Sequence, residues 1–214
     1  MFSSPVITFL LASLMALALA PFMMAQGGHQ KKSDEYAFQQ PTAEEMKAMQ
    51  QRWAESMKPG KYHAWLGQLI GHWDVEARLF YGSQGEPQKG KGKSAIEWKV
   101  EDKWLSWEYD YELAGSKTRS FGIHGYDNFK QKFVSVTFDN NSTALSRFEG
   151  VLDQSGTALH LWGTVDEPMT GEHDKMAEGV VRILDANRFL LEVHDLAIGD
   201  DSKVLEFEFT RAKE

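Results

Sequence analysis

Hydrophobic and polar positions divide this chain into two regimes that meet at "QLIGHWDVEARLFY", residues 68 to 81. Before Gly71 the apolar residues recur at helical spacing; from Trp73 onward they recur every second residue. Trp73, Val75, Ala77, Leu79 and Tyr81 share one parity, and Asp74, Glu76 and Arg78 lie between them. In "KWLSWEYDYEL", Leu105, Trp107, Tyr109, Tyr111 and Leu113 oppose Ser106, Glu108, Asp110 and Glu112. In "KVLEFEFTR", Leu205, Phe207 and Phe209 oppose Glu206 and Glu208. Such alternation predicts antiparallel strands with one buried face and one wet face.

Turn chemistry punctuates the strands at Gly82 to Gly90, Glu101–Asp102, Gly115–Ser116, Asp127–Asn128, Asn140–Asn141, Gln154 to Gly156, Pro168 to Gly171, Asp185 to Asn187 and Gly199 to Asp201. About ten strands result, with no helical crossover between them, as parallel pairing would require. A sheet that long curls, and closure removes its edges. The expected fold is all-β: an antiparallel up-and-down β-barrel of about ten strands over residues 61–214, preceded by a short helical segment.

The helical regime has two parts. Thr42 and Glu45 form a capping box, and Met46, Met49, Trp53 and Met57 recur along one stripe up to Pro59–Gly60. A Met-rich stripe of this kind predicts core or lid packing. A second segment, roughly 62 to 69, groups Trp65, Leu66 and Leu69 and ends at Gly71. Upstream, residues 26–60 divide into a polar tether and this first helix. Residues 1–25 are apolar and uncharged, which reads as a secretory signal peptide. Cleavage after Ala25 is preferred, since Pro21 should block a cut after Ala20; an uncleaved N-terminal anchor is the alternative, and only then is a membrane a partner. The expected location is periplasmic or secreted.

Composition narrows the function classes. The 214 residues have a net charge of −8, so no basic footprint points to nucleic acid. The run Lys89–Lys91–Lys93 is expected to be a solvated hairpin end. Cysteine is absent, which removes disulfides, thiolate metal sites and a Cys nucleophile. Stability must then come from the core, and an aromatic content of 12% makes one available.

A helical turn running into Gly71–His72–Trp73, with Arg211 closing the last strand, resembles the lipocalin and fatty-acid-binding (calycin) superfamily. That resemblance implies Trp73 closing one barrel end with Arg211 packed over its ring, a contact worth about 0.5–2 kcal/mol. A closer resemblance, over residues 59 to 211, is to the bacterial domain-of-unknown-function family 1579. It is carried by Pro59, Gly60, His63, Leu66, Gly71, Trp73, Gly125, Tyr126, Asp127, Asn128, Asp139, Ser142, Thr143, Pro168, Thr170 and Gly171. Phe138 stands where that family's pattern has Trp, and Glu167 is inserted between Asp166 and Pro168. The resemblance implies the fold and no activity.

Candidate chemistry is sparse. Gly125–Tyr126–Asp127–Asn128 and "DEPMTGE" are explained by turn physics, with Tyr126 a possible ligand contact. His63 is expected to cap or orient the short helix. His124 and His160 fall within strands; if either points inward it could serve as an axial haem ligand, although no metal motif accompanies it. Asp139 is expected in an Asx turn near a barrel mouth, where an enzymatic reading would pair it with Tyr126. The inner face remains, with Trp98, Trp107, Tyr109, Tyr111, Phe207 and Phe209. These rings could line an apolar cavity or simply fill it. The resulting expectation is an exported barrel binding a small hydrophobic or amphipathic molecule, with no resident cofactor or metal and no required catalysis. A haem barrel, a mouth enzyme and a filled interaction module are the rivals.

Overall fold

The computed structural model describes residues 40–81, 85–199 and 202–213. The signal peptide and nearly all of the tether lie outside the described residues. Helix α1 spans Ala43–Ser56 and helix α2 Lys61–Gly67. Ten strands follow: β1 Gly71–Leu79, β2 Gln88–Val100, β3 Trp104–Leu113, β4 Ser116–Asp127, β5 Lys132–Asp139, β6 Ser146–Leu152, β7 Ala158–Glu167, β8 Glu172–Asp185, β9 Arg188–Asp195 and β10 Lys203–Arg211. Each pairs antiparallel with its sequence neighbour, and β1 pairs with β10, closing an up-and-down barrel.

The opening stretch is resolved by its hydrogen bonds. α2 starts where the Gly60 N–H donates to His63 Nδ1 at 3.1 Å, the capping role expected of this histidine. Trp65, Leu66 and Leu69 are buried, and Trp65 Nε1 donates to the Gly156 carbonyl at 2.8 Å in the β6–β7 turn. α2 therefore covers one end of the barrel. Gly71, at φ +144°, turns the chain from that cover into β1. Trp73 Nε1 donates back to the Leu69 carbonyl at 3.0 Å, and Trp73 pairs with Arg211 across β1 and β10. The Arg211 guanidinium lies 4.1 Å from the Trp73 ring and donates to the Ile70 and Ala186 carbonyls. The Trp–Arg plug is in place.

The interior is asymmetric. On one side β3 and β10 send large rings inward across two intervening strands. Their inward positions are small: Gly92 and Ser94 on β2, Val75 and Ala77 on β1. Tyr109 and Phe207 thus meet at 5.4 Å, Trp107 and Phe209 at 5.3 Å, and Phe189 stacks on Phe209 at 4.3 Å. Small residues on the middle strands are what let the flanking rings touch.

Several expectations are corrected. The Met stripe of α1 is not packed: no residue of α1 is buried, and Met46, Met49, Trp53 and Met57 are each at least 40% exposed. One apolar residue per turn is too narrow a stripe to bury a helix. Its C-terminal end is instead held by polar contacts, with Asn128 Nδ2 donating to the Ser56 and Lys58 carbonyls at 3.0 and 2.7 Å. Lys89, Lys91 and Lys93 are solvated but belong to β2, opposite Arg78, Glu76 and Asp74 on β1. Gly90 and Gly92 between them supply inward positions, which reads as turn composition in sequence. β1 ends at Leu79, leaving Tyr81 exposed.

Glu206 is on the outward parity yet buried. Arg78 and Lys203 cover it, and they also reach Glu208 at 3.0 Å and Glu192 at 3.2 Å. Burial alone would raise the Glu206 pKa; hydrogen bonds from Lys203 and Arg78 outweigh burial and hold it below the usual range. A carboxylate depressed on folding stabilises the fold above its unfolded pKa, and that contribution disappears as pH falls through the folded value. Arg78→Met is expected to cost about 1–3 kcal/mol at neutral pH, less than a fully buried pair because Lys203 and partial exposure remain. Urea denaturation should show this deficit shrinking as pH falls from about 4 through the lowered folded value, below which Glu206 is protonated with or without its partner. A deficit independent of pH would assign the loss to packing.

Candidate functional site

On the side opposite the stacked rings, the interior is hollow. A cavity of about 120 Å³ runs from the Leu66 and Leu69 side chains of the α2 cover toward the other end, the mouth. Apart from Phe133 on β5 and Phe148 on β6, the inward residues from β5 to β9 that line it are small or aliphatic, and Gly179 on β8 is flanked by Leu161 on β7 and Val193 on β9. A Cβ placed at Gly179 would meet nothing closer than Leu161 Cβ at 3.9 Å. The hollow exists partly because this position carries no side chain.

The two walls differ chemically. Leu161, Val181, Leu191 and Val193 form an aliphatic wall from β7 to β9. Facing them are Tyr109, His124, Ser135 and Thr137 from β3 to β5. His124 and Ser135 are register partners across β4 and β5, so their side chains sit side by side. His124 lies 5.3 Å from the Trp107 ring and leans over Gly122, where a Cβ would strike its Nε2. Burial lowers its pKa to about 4, so the imidazole is neutral at physiological pH. No protein group hydrogen-bonds either ring nitrogen among the described residues.

Toward the mouth, Tyr109 and Tyr111 have phenol pKa values raised by burial, with the Ser120 and Thr118 hydroxyls beside them. Asp139 ends β5 there and accepts the Asn141 N–H at 2.8 Å, the expected Asx turn. Lys175 and Asp195, on the inward parity of β8 and β9, form an ion pair at 2.8 Å.

The residues singled out from sequence separate into three groups. Trp107, Tyr109 and His124 line the cavity. Tyr111, Phe207 and Phe209 belong to the stacked-ring side, and Trp98 packs on Gly67 of α2. Tyr126 is at the covered end, 4.4 Å from Tyr62 and 5.0 Å from Phe133. It and Asp139 lie at opposite ends of the β4–β5 hairpin, so the mouth enzyme pairing does not assemble. His160 points outward, 2.8 Å from Glu178 and stacked on Trp162. Leu161 on the next parity takes the inward place. Among the described residues no three His, Cys, Asp or Glu side chains cluster as a metal site. His124 could offer haem an axial nitrogen, but a macrocycle needs a site on the scale of drug-sized pockets, about 300–1,000 Å³. The space beside His124 does not fit it.

Sequence reasoning missed Ser135, Thr137, Gly179 and the Lys175–Asp195 pair. In "KFVSVTFD" the valines carry the hydrophobic signal, yet Phe133, Ser135 and Thr137 hold the inward parity. Phe133 was the available clue, since its parity with Ser135 and Thr137 fixes the face of all three.

Residues 58–211 match the family described as "Protein of unknown function (DUF1579)". The chain belongs to that family. No curated protein matches this DUF1579 chain. Among solved structures, Rv2717c from M. tuberculosis superposes with a TM-score of 0.53 at 13% identity, covering 73% of this chain and 100% of that one. That likeness is one of fold. A redesigned β-barrel, b11L5F_LGL, gives a TM-score of 0.38 at 11% identity, covering 69% and 95%.

Proposed function

We propose that this DUF1579 protein is exported, in a bacterial envelope or outside the cell, and holds one small apolar or amphipathic molecule in the hollow side of its barrel. The observation that carries this reading is the cavity itself, with an aliphatic wall facing a neutral, unpartnered histidine. Its volume of about 120 Å³ sets the ligand's scale. An apolar cavity of about 150 Å³ takes up benzene or xenon. A single-ring molecule is the right size, and a long acyl chain is not. Kinship with the lipocalin and fatty-acid-binding superfamily is part of the reading, supported by the Trp73–Arg211 plug. Export rests on the apolar, uncharged residues 1–25.

Gly179→Leu tests the site. Its side chain has room in the cavity, and replacing a strand glycine also reduces unfolded-state entropy, so the melting temperature should hold or rise. Fluorobenzene binding, followed by ¹⁹F NMR, should be present in the parent and lost in the variant. At a ligand concentration of about 100 Kd the parent should gain about 2.7 kcal/mol of stability. No uptake by the parent, or undiminished uptake by Gly179→Leu, would overturn the reading. Fractionation of the native host tests export, with an N-terminal sequence beginning after residue 25 expected in the envelope or medium.

A further inference from the structure

We infer that the cavity selects a neutral single-ring molecule bearing one hydrogen-bonding group, of the phenol class, with that group bound at His124 and the ring on the aliphatic wall. This rests on the cavity reading above and specifies what the site distinguishes.

Three observations converge on it. First, the polar groups are confined to one wall, where His124 and Ser135 are adjacent across β4 and β5 and Thr137 follows on the same face of β5. A ligand with one polar edge and one apolar face matches that division; a wholly apolar molecule would leave the imidazole unsatisfied in a low-dielectric space. Second, the imidazole is held in position. Gly122 leaves the space into which its Nε2 reaches, and the Trp107 ring flanks it at 5.3 Å. An oriented ring gives a hydrogen bond with less loss of side-chain freedom than a free one. Third, the site offers a bound charge nothing. The facing wall is aliphatic, and His124 is kept neutral by burial, so a carboxylate or an ammonium would surrender its hydration without a counter-charge. The charged residues on the inward parity near the mouth are already engaged: Lys175 and Asp195 pair with each other at 2.8 Å, and Asp139 accepts the Asn141 N–H in its Asx turn. A neutral imidazole has one accepting and one donating nitrogen, and a phenol hydroxyl can donate to the former.

The test is a set of titrations with phenol, toluene and benzoate on the parent and on His124→Leu, read by calorimetry. The parent is expected to bind phenol and toluene and to refuse benzoate at neutral pH. His124→Leu should retain toluene while losing phenol affinity by about tenfold or more, the consequence of burying a hydroxyl without a partner. Toluene binding with phenol affinity unchanged in His124→Leu would overturn the inference and leave the cavity reading standing. Failure of the parent to bind either would overturn the cavity reading itself. Because His124→Leu could fail to fold, the imidazole nitrogens of the parent provide a second readout. Phenol, but not toluene, should shift the ¹⁵N resonance of the accepting His124 nitrogen. An equal response to both, or no response to phenol, would refute the hydrogen bond.

Discussion

Phe209→Ala is expected to lose about 3–5 kcal/mol, a large part of the roughly 5–15 kcal/mol that holds a domain folded. Phe209 is fully buried, stacked on Phe189 at 4.3 Å and within 5.3 Å of Trp107. The cost has two sources. Removing the ring forfeits its transfer free energy, and the space left behind cannot collapse because its walls are strands locked in a closed hydrogen-bonded circuit. Phe209 pairs with Val75 on one side and Phe189 on the other, so neither neighbour can slide without breaking register. Chemical denaturation should move the midpoint with an unchanged slope. A loss under about 1 kcal/mol would mean that the rings repack, and the stacked side would then be no more rigid than the hollow one.

Gly71→Ala is expected to cost about 2–4 kcal/mol, a large penalty for one methyl group. Two effects act together. At φ +144° an L-residue is strained, typically by about 1–3 kcal/mol. The new Cβ would also run into the Arg211 guanidinium. Arg211 would have to leave the Trp73 face, giving up a cation–π contact worth about 0.5–2 kcal/mol and its bonds to the Ile70 and Ala186 carbonyls. The readout is thermal melting of Gly71→Ala alone and combined with Arg211→Ala. If the collision matters, the double variant should lose less than the sum of the two single losses. Strict additivity would place the whole cost in backbone strain.

The fold was legible because the strands carry a period of two in residues whose sizes leave little ambiguity. "KWLSWEYDYEL" has one possible inner face, and β3 adopts it. The plug was legible through Gly71, Trp73 and Arg211. What sequence did not disclose is where the interior is full and where it is empty. That depends on which inward residue lies beside which across several strands. Tyr109 reaches Phe207 because Ser94 and Gly92 on β2 and Ala77 on β1 are small, and the cavity opens because Gly179 falls opposite Leu161. Alternation gives the face of a residue and not its height in the barrel. For the same reason the sequence does not disclose that Tyr126 and Asp139, thirteen residues apart on one hairpin, lie at its opposite ends. His160 and His124 looked alike in sequence; a single step of parity separates an outward imidazole beside Glu178 from an inward one.

The ring of ten strands also has a kinetic consequence. Every seam but one joins neighbours along the chain, so those hairpins can zip early at small entropic expense. The last seam brings Arg211 to Ile70, 141 residues away, and cannot form until everything between is in order. Until then β1 and β10 present unpaired edges, and the danger of misassembly between chains is concentrated in that one interval.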